Sequence, residues 1–285
     1  MYTFGIKFGI KYFYFGWICI SFIFFTLLAN AQDANLKNLK MLVYTKNGEG
    51  YVHDNIPHAV KSIQKLGKKH GFEVTITDNP SVFTEANLQQ YNILLFPSTN
   101  NEVFDNDKQR LAFRRYIQSG GGFVGIHSVV GTERNWDWFK QMVGGSFVWH
   151  PRFQKYQLKV IDPAHPTVDK IPGVWEQEEE CYFMKDMYPG IKVTIAHDLE
   201  TLNPEQKERI QESATPYNKL YPAVWHHSFD GGHVWVTALG HHMKDYEDPL
   251  FLRHLIQGIQ YVADQIGPLN PAKAYATSRD FPVRY

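Results

Sequence analysis

The sequence predicts a three-layer α/β fold: a mostly parallel central sheet with helices on both faces, extended by a C-terminal β-hairpin and a closing helix. Three observations predict it. Between residues 40 and 126, short apolar runs alternate with segments of helical period, the pattern of a parallel sheet covered by helices. Asp230-Gly231-Gly232 separates two strand-like runs and marks a tight hairpin. Phe251, Leu255, Ile259, Val262 and Ile266 stripe one face of a last helix.

Taken in order, residues 40–45 (Lys-Met-Leu-Val-Tyr-Thr) read as a first buried strand. Residues 46–55 form a loop that carries His53. Ile56, Val60, Ile63 and Leu66 recur at helical spacing, with Pro57 in the first turn and Gly71 at the end. Residues 72–77 alternate as a second strand. Residues 91–96 make a third, with 97–101 as its exit loop. A helix over 107–119 leads to Gly120-Gly121-Gly122, where positive φ ends it. Phe123-Val124-Gly125-Ile126 is too short and too apolar for a surface helix and reads as a buried strand, with His127 and Ser128 at its tip. Residues 135–143 form a short helix broken by Gly144-Gly145. Residues 155–162 and 191–197 are strands, and 203–215 is a polar surface excursion. Residues 221–229 and 233–239 flank the hairpin turn.

The first residues stand apart from this fold. Lys7 and Lys11 precede an almost wholly apolar run over 12–28, and Ala29-Asn30-Ala31 is a small-x-small cleavage signal. Residues 1–31 are expected to be a signal peptide and 32–285 a single domain, exported to the periplasm or secreted, with no membrane span after cleavage. An uncleaved anchor is the alternative. Cys19 follows Trp17-Ile18, which does not suit a lipoprotein site. Cleavage removes two lysines and no acid, moving the formal charge from 0 to −2. No basic stripe remains, which argues against a nucleic-acid partner. Cys181 would then be the sole cysteine, so no internal disulfide can form.

Ligands of open α/β sheets bind beyond the carboxyl ends of the strands. His127 and His241 fall at such ends, and His53 joins them if its strand runs parallel. An imidazole there can donate, accept, ligate a metal or carry a proton near neutral pH. His150, before a proline in an aromatic and glycine-rich stretch, is a fourth candidate. Thr99 and Asn100, in the exit loop of the third strand, and Tyr182, beside Glu180, are candidate substrate contacts. Glu176 to Glu180 is an acidic run. It is either a solvated face or a source of one carboxylate, Glu180, acting as general acid or base or as a metal ligand. A zinc-like divalent metal suits imidazoles with a carboxylate, but no two-histidine helical motif occurs, so the cofactor stays open. His58, His70 and His254 fall on helices and His165, His197 and His233 in turns or strands, and all six read as structural. His226 and His227 are adjacent in a strand and face opposite sides. His227 lies about six residues, or about 20 Å, from the ligand edge.

The chain resembles the trehalose-utilisation, or ThuA-like, family, whose fold is similar to flavodoxin and to class I glutamine amidotransferases. The matching runs are Gly50-Tyr51-Val52-His53-Asp54-Asn55-Ile56, the glycine stretch through His127, Trp136-Asp137-Trp138-Phe139, Val143-Gly144-Gly145-Ser146-Phe147 with His150-Pro151, Glu179-Glu180-Cys181-Tyr182, and Thr237-Ala238-Leu239-Gly240-His241. Each is short, but their order over nearly the whole mature chain is specific. The resemblance also marks a departure. Amidotransferases hold a cysteine nucleophile where His127 stands and a glutamate where Met243 stands, so thiol chemistry is not expected and the chain is not a functional glutamine amidotransferase. Ser128 at the turn reads as a cap before a nucleophile.

Two functions follow. One is an exported enzyme on the substrates the resemblance implies, glucosides or disaccharides including 3-keto derivatives, in which His127, His241, Glu180 and His53 assist proton transfer leading to cleavage or isomerisation. The other is a sugar-binding module that kept the pocket and lost the chemistry.

Overall fold

The computed structural model describes residues 1–2, 36–214 and 217–284. The apolar run and cleavage point of the expected export signal lie outside the described residues. No described helix is long and apolar enough to cross a membrane.

The first half of the chain builds a parallel sheet. Its strands are β1 (Lys40–Tyr44), β2 (Glu73–Thr77), β3 (Ile93–Pro97) and β4 (Gly122–Ile126). Between them run α1 (Ile56–His70), the single turn α2 (Glu85–Leu88) and α3 (Asp107–Gln118). Local chemistry sets the helix ends. Pro57 opens α1, and Gly71, at φ 86°, closes it with its N–H on the Gly67 carbonyl. The Asn106 side chain caps α3 by accepting from the N–H groups of Lys108 and Gln109.

After β4 come α4 (Asp137–Val143), β5 (Ser146–Trp149), β6 (Gln154–Val160), β7 (Val174–Glu179), β8 (Phe183–Lys185) and β9 (Lys192–Asp198). Then follow α5 (Lys207–Ala214), β10 (Leu220–Phe229), β11 (Gly232–Thr237) and α6 (Pro249–Gln265). The nine-stranded sheet has the order β2-β1-β3-β4-β11-β10-β9-β6-β7. From β2 to β11 all pairs are parallel. From β11 to β7 all are antiparallel. β5 and β8 form a separate pair. The expected hairpin is β10–β11, with Phe229 opposite Gly232.

Helices cover both faces. Phe123 of β4 packs on Phe113 of α3 and Phe139 of α4, with ring centres 5.8 and 6.3 Å away. On the other face Gly122 lets α6 approach, because a Cβ there would lie 2.6 Å from Val262. α1 shares that face, and Ser62 donates from it to the Tyr246 carbonyl in the turn before α6.

Two segments differ from the sequence reading. The acidic run is the last part of an edge strand. Along β7, Trp175 and Glu179 are buried while Val174, Glu176 and Glu178 are exposed, a period-2 pattern that the acidic composition hides. The polar excursion 203–215 contains α5, which buries Ile210 and Ala214 and sets Arg209 over the Trp149 ring at 3.9 Å.

The antiparallel half does not continue flat. Four strand spacings separate β7 from β11, about 19 Å in a flat sheet. Yet Glu179, at the end of β7, accepts from the N–H of Gly240 just past β11 at 2.6 Å. The sheet therefore curls. Register shifts in β10 at Pro222–Val224 and Val224–Trp225 mark where it bends. Trp175 of β7 meets His254 of α6 at 5.7 Å between ring centres, so the curled half wraps α6.

Candidate functional site

Because β1, β4 and β11 are parallel, the loops leaving them share one edge. They bring His53, His127 and His241 together, and the curl adds Glu180. One ligand atom from each of the four lies within 4.8 Å of the others.

His127 is the first residue past β4. It is fully buried and sits at φ 51°, a left-handed conformation that costs a non-glycine residue about 1–3 kcal/mol and recurs at functional sites. Its Nδ1 is 3.0 Å from the Ala238 carbonyl oxygen. A carbonyl only accepts, so Nδ1 carries the proton, and in the neutral ring Nε2 presents a lone pair. The Tyr182 hydroxyl lies 2.9 Å from that nitrogen.

His53 follows the same logic. The Ser128 hydroxyl donates to the Thr99 carbonyl at 3.0 Å. It therefore accepts from His53 Nδ1 at 3.1 Å, which leaves His53 Nε2 bare, 3.4 Å from the Tyr182 oxygen. Ser128 is thus a buried orienting group.

His241 Nδ1 lies 3.2 Å from His127 Nε2 and 3.1 Å from Glu180 Oε2. The loop that carries it is pinned from three sides. Glu179 accepts from the N–H groups of Glu180, Gly240 and His241. Asn55 donates to the carbonyls of Gly240 and His241 at 2.8 and 3.0 Å. The Tyr246 hydroxyl donates to the Gly240 carbonyl at 2.9 Å. Gly240 has φ 101°, and a Cβ there would lie 2.8 Å from Phe251, so only glycine fits this turn.

Glu180 Oε2 faces His241 and, at 3.6 Å, His127. Its other oxygen is 3.3 Å from His150 Nε2. Burial alone would raise this carboxyl, but the hydrogen bond with His241 and the nearby histidines hold it below the usual range. Burial, then the charge of His241, lowers His53 to about 4. Burial, then His53 and His241, pushes His127 well below the usual imidazole range. Burial, reinforced by Asp245, pushes Glu179 up against the pull of its three N–H donors.

The other candidates take distinct places. Tyr182 lies in the floor, its ring 4.5 Å from that of His127. His150 stands at the wall and reaches the cluster through Glu180. Thr99 is fully buried and its hydroxyl pairs with Thr132 at 2.8 Å. Asn100 joins Tyr51 to Arg134. These two support the loops around the site with their polar atoms already engaged. His226 lies with His165 and Tyr261, and His227 with Tyr188. His197 is bonded to Tyr156 and His254 to Thr237 inside the core. Sequence reasoning missed Asn55 and Tyr246 and ranked Glu179 below Glu180 in the acidic pair; all three hold the His241 loop. Glu179 carried a signal as the inward residue two positions after Gln177 and four after Trp175.

Above the cluster opens a cavity of about 160 Å³, walled by Tyr51, Phe153, His242 and Met243 with His53 and His241 at its base. Aromatic walls over convergent polar groups suit a small polar ligand with apolar faces.

Comparison with known proteins agrees with this architecture. A ThuA-like protein from Bacteroides uniformis ATCC 8492 superposes with a TM-score of 0.65 at 22% identity, covering 84% of this chain and 96% of that one. A second, from Parabacteroides merdae ATCC 43184, gives 0.60 at 19%, covering 80% and 90%. A β-galactosidase from Rahnella sp. R3 gives 0.51 at 11%, with only 33% of its chain covered. At these identities the likeness is one of fold. No curated protein matches the chain. The family model ThuA, described as trehalose utilisation, matches residues 40–262, which span the sheet from β1 into α6 and contain all four clustered residues; the chain belongs to that family.

Proposed function

We propose that the protein is an exported carbohydrate-processing enzyme acting on glucosides or disaccharides, 3-keto derivatives among them, by proton transfer that leads to cleavage or isomerisation. One observation carries the reading: two bare imidazole nitrogens and a carboxylate converge beneath a small aromatic-walled cavity. These are proton acceptors. A carbonyl on the sugar ring acidifies the adjacent C–H bond. A base in the cluster takes that proton, and the electron pair moves onto the carbonyl oxygen. Collapse of this enolate expels the glycosidic oxygen two carbons away, which leaves as the alcohol after taking a proton. Without expulsion, return of the proton to a neighbouring position isomerises the sugar. No thiol nucleophile is needed, and Cys181 does not supply one, since it is buried and burial pushes its thiol up. The family description supports the sugar class, and the amino-terminal sequence pattern supports export.

The histidine and methionine that stand where amidotransferases hold a cysteine and a glutamate also favour a second reading, a sugar-binding module. Turnover of native and 3-keto glucosides, measured for the wild type and for His127→Asn, separates the two. An enzyme loses about 10²–10⁴-fold in kcat in the variant with little change in binding. Sugar binding with no wild-type turnover on any of these substrates supports the module instead.

A further inference from the structure

We infer that His53, His127, His241 and Glu180 form a binding site for one divalent first-row metal ion. The geometry carries this. A tetrahedral ion with metal–nitrogen distances of about 2.0–2.1 Å holds its ligand atoms roughly 3.3 Å apart. Here His241 Nδ1 to Glu180 Oε2 is 3.1 Å, His241 Nδ1 to His127 Nε2 is 3.2 Å, and His127 Nε2 to Glu180 Oε2 is 3.6 Å. The full set of four spans no more than 4.8 Å, so binding draws His53 inward.

The outer contacts are those a metal site requires. Metal-bound histidines donate their second ring nitrogen to an oxygen, which fixes the tautomer and the ring. His127 does so to the Ala238 carbonyl and His53 to Ser128. Glu180 is held from outside by His150, and the His241 backbone by Glu179 and Asn55. His127, His53 and Glu180 are thus aimed inward by partners that take no place in the cluster, and His241 is placed by the hold on its backbone. Three imidazoles with one carboxylate form a borderline donor set that suits zinc, cobalt, iron or manganese over calcium or magnesium.

The site also bears on the substrate, and here the inference rests on the sugar reading above. An ion at this point faces the cavity between Tyr51 and Phe153. A ring carbonyl with a hydroxyl on the next carbon offers two oxygens to one metal. The ion would draw charge onto the carbonyl oxygen, and because the imidazole lone pairs are then taken up as ligands, the adjacent proton would pass to Glu180 Oε1, the carboxylate oxygen turned away from the ion. A hydroxy-ketone sugar is therefore favoured over its fully reduced parent.

The test begins without sugar. Purified protein is stripped with a chelator, dialysed and titrated with Zn²⁺ by calorimetry, and Co²⁺ is added separately to record its visible absorption. One ion per chain is expected, with a cobalt spectrum typical of nitrogen and oxygen ligands. His53→Ala and His241→Ala should each weaken zinc binding more than 100-fold. Ser128→Ala, which removes only the outer contact of His53, should weaken it about 10–100-fold. His241 is the safer ligand variant because it is partly exposed, and circular dichroism confirms that each variant is folded. Substoichiometric zinc on the wild type, or unchanged affinity in the folded His241→Ala protein, overturns the site. Stoichiometric zinc with no turnover of any glucoside leaves the site standing and removes the sugar reading. Turnover that survives complete stripping keeps the sugar reading and overturns the part given to the ion in the reaction.

Discussion

Asp245 should make the protein less stable as pH rises. The residue lies in the turn before α6, where Gln177 donates to its Oδ1 at 2.9 Å and the His242 N–H to its Oδ2 at 3.2 Å. Burial is the main reason its carboxyl is pushed up to about 7, from 3.8. The folded state therefore holds a proton that the unfolded state has released. The resulting stability is fully present below pH 3.8 and is lost as pH rises through 7. The whole shift corresponds to a ceiling of about 4 kcal/mol, of which about 3 kcal/mol falls between pH 4.5 and 8. Other groups titrate in the opposite sense. His226 and His227, lowered to about 4 mainly by burial, gain stability as pH rises. The difference between wild type and Asp245→Asn isolates the Asp245 contribution. Urea unfolding of both proteins across this range should show the Asn variant gaining on the wild type by about 2–3 kcal/mol toward pH 8. The amide keeps the Gln177 contact and sets its nitrogen against the His242 N–H, an offset of about 1 kcal/mol at every pH. Two parallel stability curves would refute the assignment.

Two further predictions concern how the loops are held. Gly240→Ala forces a side chain onto φ 101° and against Phe251, which should cost about 2–4 kcal/mol in urea unfolding; a loss below about 1 kcal/mol would show that the turn relaxes. Glu133 is fully buried, bonds Arg110 at 2.6 Å and accepts from the N–H groups of Val103 and Phe104. Glu133→Ala leaves both N–H groups without their partner and the arginine with only the more exposed Glu102 and Asp107, and should cost about 2–4 kcal/mol by the same measurement, with a neutral result excluding a structural role for the pair.

The parallel half was legible because its signals are local. A glycine turn, a four-residue apolar run and a polar tip specify β4 and place His127 without reference to any distant residue. The same holds for His241 after the hairpin and, given parallel pairing, for His53. Glu180 was legible as one carboxylate in an acidic run and through the Glu179-Glu180-Cys181-Tyr182 resemblance, but not from local pattern, because what selects it is the curl of the sheet. The pins were hidden for a related reason. Asn55 looks like a helix cap, yet its side chain makes no cap bond and reaches 185 residues along the chain to Gly240. Contacts of that range depend on topology, which periodicity does not encode. Thr99 and Asn100 stand at the right edge, but the neighbouring Thr132 and Arg134 take up their polar groups.

The antiparallel half explains why so long a chain surrounds so small a cavity. A parallel sheet alone delivers three histidines to one edge, and three imidazoles carry no negative charge. The carboxylate has to come from elsewhere, and a flat sheet would leave β7 about 19 Å away. The bulged β10 and the wrap around α6 close that distance. Glu179 then fastens the end of β7 to the His241 loop with the same carboxylate that holds the Glu180 N–H. One residue thus fixes the relative position of two members of the cluster, one just past the edge strand β7 and one just past the central strand β11. The acidic pair is divided by this arrangement: Glu179 joins the two halves of the fold, and Glu180 presents its charge to the histidines.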